Sequence, residues 1–411
     1  MRFLILTQYY PPEIGAPQVR LAALARELIR QGHRAEVVTA HPNHPLGRIF
    51  PGYANVLYRR ESVDGLTIHR TWIYPAVGSG VKRLWNYLSF TLTCVIGLFR
   101  AERPDLLLVE SPPLFLSIPA FIYGLIRQVP FIFNVADLWP DSARELGVIG
   151  DGPALRISLA LERWSYAKAT YVNAVTTGIE RTLLENKRVP KDKILFMPNG
   201  VDLELFHPRR YDRKLARDLG LEGKKVVLYS GTLGIAQGLE TALDAFELLA
   251  RRGSDAVLVL VGSGSSRGQL VDYARLKGLS NVVFLDPRPL EEVAGLFAVA
   301  TAGLVMLKDL PLFDRARPSK IFPILASGKP VIYSGRGEGA ALVSEARAGI
   351  IVPPGNAPAL ADAIERLLAD GDAAAAMGRS GRVYAESHIG WNCILGQWLR
   401  KLETASHDIH R

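Results

Sequence analysis

Between residues 226 and 358, short apolar runs alternate with stretches of helical pattern, and each run ends in glycine or in a short polar loop. Residues 226–229 run into Ser230-Gly231-Thr232-Leu233-Gly234, and residues 257–261 into Gly262-Ser263-Gly264. Residues 282–285 run into Asp286-Pro287-Arg288-Pro289, 303–307 through a polar loop into Pro318-Ser319-Lys320, and 330–333 into Ser334-Gly335. Strand and helix in strict alternation is the pattern of a doubly wound α/β unit with a parallel sheet. Ligands on such sheets bind beyond the carboxyl ends of the strands, where these glycines fall.

The first half repeats the pattern. A strand over residues 2–7 enters Gln8-Tyr9-Tyr10-Pro11-Pro12-Glu13-Ile14-Gly15, and a helix over 18–31 stops at Gly32. A second strand, 35–39, follows at once. Gly15 offers a backbone without a side chain, either for a turn or for close approach of a ligand. Further strands are expected at 106–109, 131–135 and 169–174, the second ending in Ala136-Asp137-Leu138-Trp139-Pro140. Asp137 therefore stands at a strand's carboxyl end, as a site residue or as a cap. The turn signal Met197-Pro198-Asn199-Gly200 opens a charged passage to Lys225 between two domains. With 411 residues the chain is long enough for both.

Residues 1–200 carry 23 Lys and Arg against 16 Asp and Glu, whereas residues 201–411 carry 26 against 24. The basic half suits an anionic partner or simply a solvated surface. Residues 84–99 are uncharged, with Lys82 and Arg83 before them and Arg100 after. The run is too short to span a bilayer. With Trp85, Tyr87 and Phe90 it fits a helix lying on an anionic leaflet, and it also fits a buried helix. A second apolar stretch, 114–126, is expected beside it. His41 and His44 have no nearby acid or cysteine to complete a metal site. Two widely separated cysteines, Cys94 and Cys393, fit a reducing cytosol, and residues 3–6 are too short for a secretory signal.

Several of these segments, taken together, resemble the family 4 glycosyltransferases, which have the GT-B fold. The carriers are Tyr9-Tyr10-Pro11-Pro12 with Gly15, Pro198-Asn199-Gly200-Val201-Asp202, and Gly231-Thr232-Leu233-Gly234 with Gln237-Gly238-Leu239. Gly262-Ser263-Gly264, residues 281–285 and Gly328-Lys329-Pro330-Val331 complete the set. Asp137-Leu138-Trp139-Pro140 and Pro318-Ser319-Lys320 look like the branch that builds bacterial surface polysaccharides, such as the L-fucosamine transferases of O-antigen assembly. The resemblance implies two facing Rossmann-like lobes with parallel sheets. These are an acceptor lobe, 1–198, a donor lobe, 199–387, and a C-terminal helix, 388–411, that crosses back to the first lobe. It implies a nucleotide-sugar donor, UDP-linked by family habit, a polyprenyl-diphosphate-linked acceptor, and retention of anomeric configuration without metal or other cofactor. It also implies peripheral attachment to the cytoplasmic face of an anionic inner membrane, and no nucleic-acid partner.

By the same resemblance, Lys320 and Asp137 are the catalytic candidates. Gly15, Gly231, Thr232, Gln237, Gly262, Gly264, Arg267, Arg288 and Ser319 are the donor-binding ones. Thr232 and Gln237 stand where many members have Arg and Lys on the donor diphosphate, and Arg315 and Pro323 stand where they have two glutamates. Neutralisation of the diphosphate then falls to Lys320 and Arg267, helped by main-chain N–H groups. Two other readings remain. Gly262-Ser263-Gly264 with Asp286 has the outline of a dinucleotide-binding fingerprint, although Gly268 comes one residue late, which would make the chain an NAD(P)-dependent oxidoreductase. The missing motif positions suit a sugar-nucleotide-binding subunit without activity.

Overall fold

The computed structural model describes residues 1–409 apart from Ile14, Ala54, Asn55, Val77, Ser79, Leu146, Val148 and Ala316. Its strands form two separate sheets, one in each of two units: residues 1–199 with 394–411, and residues 200–393.

In the first unit, β1 (Arg2–Leu6) is buried from Phe3 onward and has parallel neighbours on both sides, β2 (Arg34–Ala40) and β5 (Leu106–Ser111). A central parallel strand is covered on both faces, hence its unbroken apolar run. Beyond β5 lie β6 (Phe131–Val135), β7 (Tyr171–Ala174) and β8 (Ile194–Phe196), all parallel. Beyond β2 comes β4 (Leu66–Thr71), and the edge is β3 (Tyr58–Val63), which pairs antiparallel with β4. This hairpin is absent from the sequence expectation. Its signal is the Asp64-Gly65 turn, where both residues take positive φ, 51° and 79°, as a two-residue hairpin loop requires. The charges Arg59, Arg60 and Glu61 hide it from a hydrophobicity reading, and they suit an exposed edge.

Three helices of this unit bear on function. α1 (Ala16–Arg30) follows the loop after β1 and buries Leu21, Leu24, Ala25 and Leu28. α2 (Val81–Arg100) buries Phe90, Cys94 and Leu98 in the core that also takes Leu4, Leu6 and Val109. α3 (Ser117–Arg127) stands beside it, with Phe99 edge-on to the buried Tyr123 at 5.2 Å. The long C-terminal helix, Trp391–Ile409, enters this unit from Ile394 onward and buries Trp398, Leu399 and Leu402.

The second unit has six parallel strands: β9 (Lys225–Ser230), β10 (Ala256–Val261), β11 (Val282–Leu285), β12 (Ala302–Met306), β13 (Val331–Ser334) and β14 (Gly349–Val352). Their order is β11-β10-β9-β12-β13-β14. Along β9, Val226 and Leu228 feed one core while Val227 and Tyr229 feed the other, so helices cover both faces. The sixth strand, β14, is a further element that the sequence reading passes over; it is four residues long and only part-buried.

Candidate active site

In a doubly wound sheet the strand order reverses at one place, and loops diverging from there open a crevice. In the second unit that place lies between β9 and β12. The loop after β9 carries Gly231 and the loop after β10 carries Gly262, with φ of 137° and 141°. A Cβ on Gly262 would sit 2.0 Å from the carbonyl oxygen of Gly231, so the two loops run backbone against backbone. A Cβ on Gly264 would meet the Leu233 carbonyl at 2.3 Å. Main-chain bonds stitch the same pair of loops: Gly231 N to Val261 O and Leu233 N to Ser263 O, both 2.9 Å. The Tyr229 hydroxyl, inside the core, donates to the Thr232 carbonyl at 2.6 Å.

Lys320 lies over this floor. Its Cε stands 2.5 Å from where a Cβ on Gly231 would be, and its ammonium is 5.8 Å from the centre of the Tyr229 ring. Burial alone lowers its pKa from the ordinary 10.5, and no acid compensates among the described residues. A half-buried ammonium without a carboxylate is costly unless an anion joins it. Its backbone is set by the turn in which Ile321 N bonds to Pro318 O and Phe322 N to Ser319 O. Pro323 falls in the first turn of the helix Ile321–Ala326, where its missing N–H costs nothing.

The structure thus gathers Gly231, Gly262, Gly264 and Lys320, and it gives the other candidates local partners. Gln237 turns its side chain inward to accept from Gly234 N at 3.1 Å, which orders the loop. Thr232 and Ser319 are exposed. Arg267 pairs with Asp286 at 2.8 Å, and Arg288 with Glu292 at 3.2 Å. Asp286, the residue a dinucleotide fingerprint would assign to ribose, is therefore engaged by an arginine. The side chain of Arg315 lies outside those described. Sequence reasoning missed Lys308. It follows β12, bonds through its N–H to Ala236 O at 3.0 Å, and lays its Cγ 3.1 Å from where a Cβ on Gly238 would be. Its position at the switch point becomes visible only with the strand order.

In the first unit the reversal falls between β1 and β5. Glu110, at the end of β5, is fully buried and pairs with Arg20 of α1. Its other oxygen accepts from Asn134 at 2.7 Å, and Asn134 in turn accepts from Asn173 at 2.6 Å. Burial pushes the Glu110 carboxyl up, opposed by Arg20 and Asn134. Gly15 precedes α1 in extended backbone, and the nearest atoms to a Cβ there are those of the Gln18 side chain, the closest at 2.5 Å. Glu13, also buried, accepts from the N–H groups of Asn43 and His44 at 2.7 and 2.8 Å, tying the loop after β1 to the loop after β2. Asp137 is exposed and accepts from Ser142 Oγ at 2.9 Å, in a helix-entry bend. His41 bonds to the Val56 carbonyl at 2.8 Å. Among the described residues no three His, Cys, Asp or Glu side chains stand close enough to hold a metal ion.

Two α/β units built on largely parallel sheets, the second with glycine-floored loops at its switch point, are the architecture of the GT-B class of glycosyltransferases. The family described as a glycosyl transferase 4-like domain matches residues 15–200, and glycosyl transferases group 1 match residues 224–370. On these two matches the chain belongs to the GT-B glycosyltransferases of family 4 type. It is 27% identical over 337 residues, 80% of this chain and 82% of the other, to WcaI of Escherichia coli K12, a glycosyl transferase named for colanic acid biosynthesis. Among solved structures it is similar to a sucrose-phosphate synthase from Thermosynechococcus elongatus, with TM-score 0.73, 20% identity, and 98% and 99% of the two chains covered. It is also similar to HepE of Anabaena, solved with UDP and glucose, with TM-score 0.72, 18% identity, and 98% and 99% covered.

Proposed function

We propose that the chain moves a sugar from a nucleotide-diphosphate sugar, UDP-linked, onto a polyprenyl-diphosphate-linked saccharide during surface polysaccharide assembly, with retention of anomeric configuration. The observation that carries this is Lys320: an ammonium without an acid partner among the described residues, over the main-chain floor of Gly231, at the switch point of the second sheet. A diphosphate is the ligand such a place suits, because charge and N–H dipoles fixed in advance stabilise a leaving group as it gains charge. Loss of the diphosphate breaks the bond from the sugar C1 to its oxygen. The acceptor hydroxyl oxygen bonds to C1 on the same face, and its proton passes to the departing phosphate oxygen. Asp137 would accept a hydrogen bond from a sugar hydroxyl. The relative named for colanic acid biosynthesis and the HepE complex with UDP support the choices of product and donor.

The membrane side of the reading rests on α2 and α3. Among the described residues no helix is long and apolar enough to cross a membrane. Yet α2 leaves Leu84, Trp85, Leu92 and Phe99 exposed, Leu92 at 73%, and α3 leaves Ile122, Leu125 and Ile126 exposed. Of the three aromatics expected on this face, Phe90 is in the core and Tyr87 holds Arg83, so Trp85 alone faces out. Apolar faces of this size on a monomer mark a contact surface, and here the contact is the cytoplasmic leaflet of the inner membrane. A thermal-shift panel of nucleotide sugars tests the donor, because a ligand of the native state alone raises the melting temperature. UDP-sugars should raise it; a response to NAD(H) and none to any nucleotide sugar would refute the reading.

A further inference from the structure

Tyr9, Arg83 and Tyr87 form a cationic cluster on the first unit that the transfer chemistry leaves unused. Arg83, in the first turn of α2, donates from Nε to the Tyr87 hydroxyl at 2.9 Å, from Nη2 to the Tyr9 hydroxyl, and from Nη1 to the Ala76 carbonyl at 3.3 Å. The guanidinium lies over both rings, 4.7 Å from the centre of Tyr87 and 5.8 Å from that of Tyr9. Below it is a rigid polar floor: buried Gln8 donates to buried Asn86 at 2.8 Å, and Asn86 reaches the Tyr74 carbonyl at 2.7 Å. Among the described residues no carboxylate pairs with Arg83, whose side-chain partners include the two neutral phenols.

The positions of the protons decide what this cluster binds. The Tyr9 oxygen accepts from Arg83 and from Gln8 Nε2 at 3.3 Å, and the Tyr87 oxygen accepts from Arg83. A phenol that accepts still has its own proton to donate. No acceptor among the described residues takes either proton. Burial holds the Tyr9 hydroxyl far above its ordinary pKa of 10, so it stays protonated. His44, edge-on to Tyr9 at 5.7 Å, adds a buried Nδ1 without a partner among the described residues. The cluster is a fixed positive charge with two O–H donors to spare, and a group made only of acceptors, such as a phosphoryl group, satisfies all three.

Its place supplies the rest of the ligand. Leu84 and Trp85, the next two residues of α2, are exposed, and the apolar outer face continues to Leu92 and Phe99. A cationic head at the start of an apolar face matches an amphiphile with a phosphorylated end. We propose that Tyr9, Arg83 and Tyr87 bind a phosphoryl group of a polyprenyl-diphosphate acceptor, whose isoprenoid chain lies along the outer face of α2. This rests on the acceptor reading given above.

The experiment is flotation of the full-length protein with phosphatidylcholine vesicles, either plain, doped with polyprenyl diphosphate, or doped with phosphatidylglycerol. The wild type should prefer the polyprenyl-diphosphate vesicles, and inorganic pyrophosphate should compete that preference away. Arg83→Ala, and Tyr9→Phe with Tyr87→Phe, should each lose about tenfold or more of the preference, the usual scale for a charge-assisted hydrogen bond. The Tyr→Phe pair keeps both rings and the charge of Arg83 while removing the two hydroxyls, both as donors and as acceptors for Arg83, and the UDP-induced thermal shift confirms that each variant is folded. Variants that prefer the doped vesicles as the wild type does would overturn the assignment. So would a wild type that binds phosphatidylglycerol vesicles equally well or ignores the dopant. A wild type that shows the preference yet transfers no sugar would refute the transferase reading and leave this site standing.

Discussion

The indole N–H of Trp398 donates to Asn173 Oδ1 at 3.2 Å, across 225 residues of sequence. Trp398 also lies against Phe3, ring centres 6.4 Å apart, and is 2% exposed. The bond ends a buried chain that starts at Arg20 and runs through Glu110, Asn134 and Asn173, crossing β5, β6 and β7. The C-terminal helix is thus joined to the strand ends of the first unit by a polar network as well as by apolar area. Such networks stabilise when every member is satisfied and cost when one is not. Trp398→Phe, which keeps most of the packing and strands the Asn173 oxygen, should lose about 1–3 kcal/mol in urea unfolding. Trp398→Ala should lose about 3–5 kcal/mol.

Gly262 admits no side chain, because the Gly231 carbonyl occupies the space. Gly262→Ala must push the two loops apart and should abolish the UDP-dependent thermal shift. Gly268 has open space where its Cβ would be and begins a helix, Arg267–Leu276. Gly268→Ala should leave nucleotide binding intact and add up to about 1 kcal/mol of stability.

His41 and His44 each have a pKa below the ordinary 6.5, chiefly because they are buried. Arg83 adds to the effect at His44; at His41, Arg70 and Arg59 lower it while the Val56 carbonyl and Glu61 raise it. The folded unit then binds fewer protons than the unfolded chain just below pH 6.5. Its stability is full above that pH and falls as the pH drops toward the folded values. His44→Gln should flatten the decline in unfolding free energy measured from pH 6.5 downward. An unchanged slope would mean that other groups set it.

Much of the fold was legible because buried parallel strands are near-continuous apolar runs. Residues 282–285 were read at the bounds observed for β11, and β9, β10, β12 and β13 within a residue at either end. The β3–β4 hairpin was not, since its edge strand is charged and its evidence is a dipeptide turn. At the site, glycine spacing pointed to Gly231, Gly262 and Gly264, whose close approach the structure displays. Lys308, and the cluster of Tyr9 with Arg83, were hidden for one physical reason. Strand order and a contact across 74 residues bring them into place, and neither is written in local pattern.

The account depends most on Lys320 as the cation of the donor diphosphate. Isothermal titration of wild type and Lys320→Ala with UDP and with uridine isolates that role, because only UDP carries the diphosphate. The account predicts that the variant, folded and with an unchanged response to uridine, binds UDP about ten to a hundred times more weakly, as the loss of a charge-assisted contact implies. Equal affinity of the two proteins for UDP would contradict it.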